Sequence, residues 1–279
     1  MPNPTDPTQP TPPAPHVPPA APAPVPQTPA ERGLRDGTLV VCGGRPERDQ
    51  GVPVNPPVVL SSTYVSRGTP APGELLYARL DTETWRPPEQ LIGQLEGAGR
   101  PAILFSSGMA AISAAFSLVP VGGRVVMPTA PYQMAASLAD DAAAQHRFNL
   151  TKVDIANTAA VTAAVEAEAT DLLWIESPTN PLLDIADIPA LVEMAHKAGA
   201  LVGVDNTFAT PLGQRPLAHG ADIVAHSVTK YLAGHSDVVL GALVAATPEL
   251  DARLRNHRAL AGAIAGPWEA WLALRGMRT

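Results

Sequence analysis

The chain has 279 residues, 46% of them hydrophobic, enough to bury one large core or a little more, which excludes a fibrous or wholly disordered protein. A formal charge of -7 with a pI near 5.5 gives no electrostatic footprint for nucleic acid. The single cysteine, Cys42, can close no intramolecular bridge and offers no thiolate cluster for a metal, which points to a reducing, cytoplasmic compartment.

Residues 1–36 read as a disordered Pro/Ala-rich tail. Its first 30 residues contain neither Lys nor Arg, and proline interrupts every apolar run, so it lacks the basic start and apolar core of a secretory signal. Residues 37–88 are rich in Gly, Pro and Thr with little periodicity, and read as an extended arm. From 89 to 279 helical and strand-like segments alternate, the signature of an α/β architecture whose mostly parallel sheet is sandwiched by helices. The uncharged stretch 101–123, "PAILFSSGMAAISAAFSLVPVGG", is long enough to mimic a membrane span. Its four serines, Pro120 and three glycines favour a buried strand, a turn and a helix instead. The clearest unit is 187–205: Asp187 is placed to cap a helix carrying Pro189 in its first turn, Gly199 stops it, and "ALVGVD" follows as a short buried strand.

Polar clusters follow directly on apolar strand candidates: "LLWI" runs into "ESPTNP", "LVGV" into "DNT" and "DIVA" into "HSVTK". In open α/β sheets ligands bind beyond the carboxyl ends of the strands, so these clusters point to one shared site. Lys230, preceded by Ser227 and Thr229, is suited to form a Schiff base with a carbonyl ligand if the pocket lowers its pKa, and the hydroxyls are suited to a phosphate. Asp205 closes an apolar strand, where an unpaired carboxylate is costly. It either caps the following turn or pairs with a protonated ring nitrogen. The turn Ser106 to Gly108 opens into an alanine-rich helix whose first N–H groups could take a phosphate, or is simply an N-cap. No Walker or GxGxxG pattern occurs. His226 and His235 stand nine residues apart, neither a helical pair nor a compact chelate, and no metal site is expected.

Taken in order, "LFSSGMAA", "WIESPTNP" and "VDNTFATPLGQRPLAHGADIVAHSVTKYLAGHSDVV" resemble the Cys/Met-metabolism family of pyridoxal-phosphate enzymes, across roughly residues 37–279. The resemblance implies a fold-type I transferase-like fold and pyridoxal 5'-phosphate as cofactor. It makes Lys230 the internal aldimine lysine and proton shuttle, Asp205 the partner of the pyridinium nitrogen, and Tyr132 the ring-stacking residue. Asn180 would approach the phenolic oxygen. Ser107, Gly108, Met109, Thr207, Ser227 and Thr229 complete the implied cofactor set. Tyr77 and Arg79 in "YARLDTETW" would reach the phosphate of a neighbouring subunit, implying a homo-oligomer, a dimer of dimers. At two places the sequence departs from the family's usual run, with "YQM" after Ala130–Pro131 and "DTET" after the arginine.

The implied activity is that of a cystathionine γ-lyase-like enzyme of trans-sulfuration, acting on a small sulfur amino acid. Cystathionine γ-synthase, cystathionine β-lyase and methionine γ-lyase are the neighbouring activities. The resemblance also implies a C-terminal small domain with an arginine for the substrate carboxylate. That domain is expected to be missing after "GPWEAWLALRGMRT", so an inactive cofactor-binding fragment is the non-enzyme alternative. No nucleic-acid or membrane partner is expected.

Overall fold

Alternation along the strands divides the molecule into layers. The computed structural model describes residues 35–71 and 73–279, so all but the last two residues of the tail expected over 1–36 lie outside the described residues. Helices α1 (Asp36–Cys42) and α2 (Arg86–Leu95) precede strand β1 (Ile103–Phe105) and helix α3 (Gly108–Phe116). Strands and helices then alternate: β2 (Gly123–Pro128), α4 (Gln133–Ala144), β3 (Phe148–Val153), α5 (Thr158–Ala167), β4 (Leu172–Glu176), α6 (Ile188–Lys197) and β5 (Leu201–Asp205). A short helix α7 (Thr210–Gly213), a 3-10 turn (Pro216–His219), β6 (Ile223–His226), β7 (Gly241–Ala245), α8 (Pro248–Ala261) and α9 (Pro267–Gly276) follow.

Among the described residues the strands form one sheet in the order β1-β7-β6-β5-β4-β2-β3. Pairing is parallel from β6 through to β3, and β7 runs antiparallel to both β6 and β1. The mostly parallel α/β sheet read from the sequence is therefore the observed one. Successive residues of β4 serve opposite faces: Leu172 and Trp174 pack with α3, α4 and α8, while Leu173 and Ile175 pack with α5 and α6. Beside that second layer, α1, α2 and α9 cover the back of β1, β6 and β7. With both faces covered, the inner strands need near-continuous apolar runs, and β4 to β7 supply them, while the edge strand β3 is only partly buried. Trp174 is fully buried, edge-on to Phe116 with ring centroids 5.2 Å apart. Gly203 lies against it, where a Cβ would come within 2.7 Å of the indole.

The unit at 187–205 forms as its residues dictate. Asp187 accepts from the Ala190 N–H at 3.2 Å at the start of α6, and Gly199 turns out of the helix at φ +80°. The uncharged stretch 101–123 becomes β1, a turn and α3, and no helix among the described residues is long and apolar enough to cross a membrane. The segment read as an extended arm carries α1, because Leu39 finds a buried place against α2 and α9; the helix begins at Asp36, within the expected tail, and the segment ends in the first turn of α2.

Three neighbouring parallel strands end on polar residues: β4 on Glu176, β5 on Asp205 and β6 on His226. Glu176 and Asp205 are direct register partners, and Asp205 is the partner of Ala225.

Candidate active site

Beyond those strand ends lies a cavity of about 1010 Å³. Ser107, Gly108, Met109, Tyr132, Asn180, Asp205, Thr207, Ser227, Thr229 and Lys230 all line it, so every residue of the implied cofactor set except Tyr77 and Arg79 converges there. Those two lie elsewhere. The Arg79 guanidinium sits 5.2 Å over the Tyr77 ring and donates to the Ala259 carbonyl, and Tyr77 is exposed.

One end of the cavity suits an anion. The first N–H groups of α3, on Gly108 and Met109, have no partner among the described residues, as expected for a helix start. Ser107 caps the helix by accepting from the Ala110 N–H at 3.1 Å. A Cβ on Gly108 would stand 2.9 Å from the Ser227 Cβ and 3.0 Å from its hydroxyl oxygen, so only glycine brings the helix start this close to that serine. Thr207 holds the loop from below, its hydroxyl accepting from the Ser227 N–H at 2.8 Å. The Thr229 hydroxyl donates to the Leu240 carbonyl at 3.1 Å and accepts from the Leu240 N–H at 2.9 Å, which lashes the lysine loop to the strand that follows.

Lys230 lies in the loop beyond the carboxyl end of β6, lines the cavity and is exposed. The chain has three lysines, and the other two are engaged at the surface: Lys152 with Asp140 at 2.7 Å and Lys197 with Glu193 at 2.5 Å. Lys230 makes no ion pair among the described residues. Phe208 and Tyr231 flank its loop with ring centroids 6.3 Å apart.

The same cavity carries two buried acids without an ion-pair partner among the described residues. Asp205 accepts from the Thr207 N–H at 3.0 Å and has no cationic side chain in salt-bridge range among the described residues. Burial pushes its pKa up, against the opposing pull of Thr207 and His226. Glu176, beside it, is pushed up to about 7, by burial first and by the Asp205 charge second, while N–H groups of Tyr132 and Asn180 work the other way. Beneath them His226 and Glu96 form a fully buried pair at 2.6 Å, and Glu96 also accepts from Asn206 at 2.9 Å. His235 bonds the Ala233 carbonyl instead, so the two histidines of "HSVTKYLAGHSD" serve separate partners.

These features fit pyridoxal phosphate: a glycine-framed anion seat, an unpaired lysine, and a buried carboxylate lacking the cation that a protonated ring nitrogen would bring. Sequence reasoning missed Glu176, Phe208 and Tyr231. Glu176 was in plain view within "WIESPTNP", and its position at the end of an apolar strand, where a lone carboxylate is costly, was the signal.

The sequence pattern of the family described as Cys/Met metabolism PLP-dependent enzyme matches residues 37–279. A protein named putative cystathionine gamma-lyase from Streptomyces coelicolor is 42% identical over 248 residues, 88% of this chain and 62% of that protein. A cystathionine gamma-synthase from Mycobacterium tuberculosis is 43% identical over 239 residues, 85% of this chain and 61% of that protein. The crystal structure of cystathionine gamma synthase from Xanthomonas oryzae in complex with aminoacrylate and cysteine superposes with a TM-score of 0.83 at 37% identity, covering 88% of this chain and 63% of that one. The chain thus spans a little over six-tenths of the length of these relatives.

Proposed function

The chain belongs to the Cys/Met-metabolism family of pyridoxal-phosphate-dependent enzymes, and from that premise we propose a carbon–sulfur lyase of the cystathionine γ-lyase kind. The proposed net reaction takes cystathionine and water to cysteine, 2-oxobutanoate and ammonia. The observation that carries the reading is a lysine and a buried carboxylate that line one cavity, neither with an ion-pair partner among the described residues.

Lys230 is the amine that would attach the cofactor, and its Nζ would afterwards accept the proton from the substrate Cα. Bound pyridoxal phosphate would supply an electron-withdrawing ring that stores the charge left at that carbon. The Asp205 carboxylate would hold a proton on the ring nitrogen. The Gly108 and Met109 N–H groups and the Ser227 hydroxyl would hold the phosphate. Tyr132 would cover the ring face, and Asn180 would donate its side-chain amide toward the phenolic oxygen. Tyr77 and Arg79, which stand outside this chain's own cavity, would act on the phosphate of a second copy. The similarity in identity to gamma-lyase and gamma-synthase relatives supports the shared chemistry at Cα, and the lyase assignment rests on the general likeness of the motifs.

The test is direct. The purified chain with pyridoxal phosphate should show the visible absorption of the attached cofactor and release 2-oxobutanoate from cystathionine. Lys230→Ala should abolish both. A variant that keeps the borohydride-sensitive band would remove Lys230 from its role, and a band without oxoacid release would favour a binding protein over an enzyme.

A further inference from the structure

Glu176 is a buried carboxyl that the proposed chemistry leaves without a task, and its two oxygens are both engaged in an informative way. Oε2 accepts the N–H of Tyr132 at 2.7 Å, and Oε1 accepts the N–H of Asn180 at 2.8 Å. Tyr132 is the residue from which α4 departs, and Asn180 lies in the loop leaving β4. Both residues line the same cavity as Asp205. One carboxylate at a strand end therefore fixes the backbone of two separate segments that present side chains to the same ligand. A carboxylate is suited to that work because it accepts at both oxygens. A carboxylic acid turns one of them into a hydroxyl, a much poorer acceptor for an N–H.

We infer that Glu176 is a positioning residue for this cavity: its ionised carboxylate ties Tyr132 and Asn180 into place, and taking up a proton releases part of that hold. The inference rests on the reading of the cavity as a pyridoxal-phosphate site. Its setting makes the switch available near neutrality. The titratable groups lining the same cavity are Asp205 on the adjoining strand, His226 at the end of β6, Lys230 and Tyr231 in the loop after it, Asp237 beyond that loop and Tyr132 itself. Of these, Asp205 is the direct register partner whose charge opposes ionisation of Glu176, and no cation among the described residues is in salt-bridge range of its carboxylate. A cationic ring nitrogen at Asp205 would lessen that opposition, so filling the site would favour the ionised, clamping form.

The experiment has two arms on the full chain. In the first, pyridoxal phosphate is titrated into the cofactor-free protein between pH 6 and 8.5 and the visible band is followed for the wild type and Glu176→Gln. The glutamine keeps the shape and one acceptor but turns a donor toward the other N–H. The expected result is affinity weaker by about tenfold at pH 8, with a flatter dependence on pH than the wild type, because other titrating groups act equally in both. In the second arm, amide exchange at Tyr132 and Asn180 is followed in the wild type alone. In a local opening that breaks these two bonds while Glu176 stays buried, protection, corrected for intrinsic rates, should fall by about tenfold from pH 8 to pH 6, in line with loss of a charge-assisted hydrogen bond, whereas global unfolding, which returns Glu176 to its ordinary pKa, shifts the other way. Equal affinities for wild type and variant across the range overturn the inference, as does protection that ignores pH. A wild type that takes up no pyridoxal phosphate refutes the cavity reading instead, and the exchange arm then decides the clamp by itself.

Discussion

Two groups of buried acid lie in the same domain, and the chain treats them oppositely. Glu89 on α2 is fully buried, and Arg255 and Arg258 of α8 close on it at 3.1 and 2.8 Å. Burial is the largest single influence on Glu89 and pushes its pKa up. The two guanidinium charges, with the Leu104 N–H, outweigh it and bring the carboxyl below its usual range. Asp251 takes a further bond from Arg255 at 2.9 Å, and the Arg258 guanidinium lies 4.4 Å over the Trp85 ring. At the ends of β4 and β5, by contrast, Glu176 and Asp205 have backbone donors but no cation in salt-bridge range among the described residues, and both are pushed up. A neutralised acid fastens helices. An acid left short of a cation marks where a ligand is to bring one.

Breaking the compensated cluster should have the largest effect on stability. Glu89→Ala leaves Arg258 buried without its partner, and urea unfolding should show a loss of about 3–5 kcal/mol. The uncompensated pair should show itself in the dependence on pH. A raised folded-state pKa gives stability that is complete at low pH and is lost as pH climbs through the folded value. Without cofactor, the wild type should therefore weaken between the ordinary 4.5 and about 7. Glu176→Gln should lower that slope by up to about 1.4 kcal/mol per pH unit in urea melts at stepped pH. Asp205→Asn comes next: the cofactor-free chain should be no less stable, or better by about 1 kcal/mol, while release of 2-oxobutanoate collapses. A clear loss of stability in that variant would place Asp205 with Glu89 among the structural acids. Smallest of all, Arg86→Ala removes the half-exposed bridge to Asp81 at 2.7 Å and should shift thermal unfolding by less than about 1 kcal/mol.

How much could be read in advance follows the distance over which each feature is made. The capped helix at 188–197, the strand ending in Asp205 and the turn into α3 are local, and their residues announce them. The cavity followed from one general rule about strand ends applied to three local clusters. What escaped was built from far along the chain. Glu176 reaches Tyr132 across 44 positions, His226 reaches Glu96 across 130, and Arg258 reaches Glu89 across 169. Nothing in the neighbourhood of Glu96 tells that its partner sits at the end of β6. The place of β7, antiparallel between β6 and β1, is likewise a matter of pairing rather than of its own apolar run.

The central claim is that Lys230, alone among three lysines, is reserved for the cofactor, and the chain is well suited to testing it. Borohydride reduction of the purified protein with pyridoxal phosphate, followed by peptide mapping, should place the label on Lys230 and leave Lys152 and Lys197 unmodified. Label on either surface lysine in preference to Lys230, or no label at all, would contradict the account.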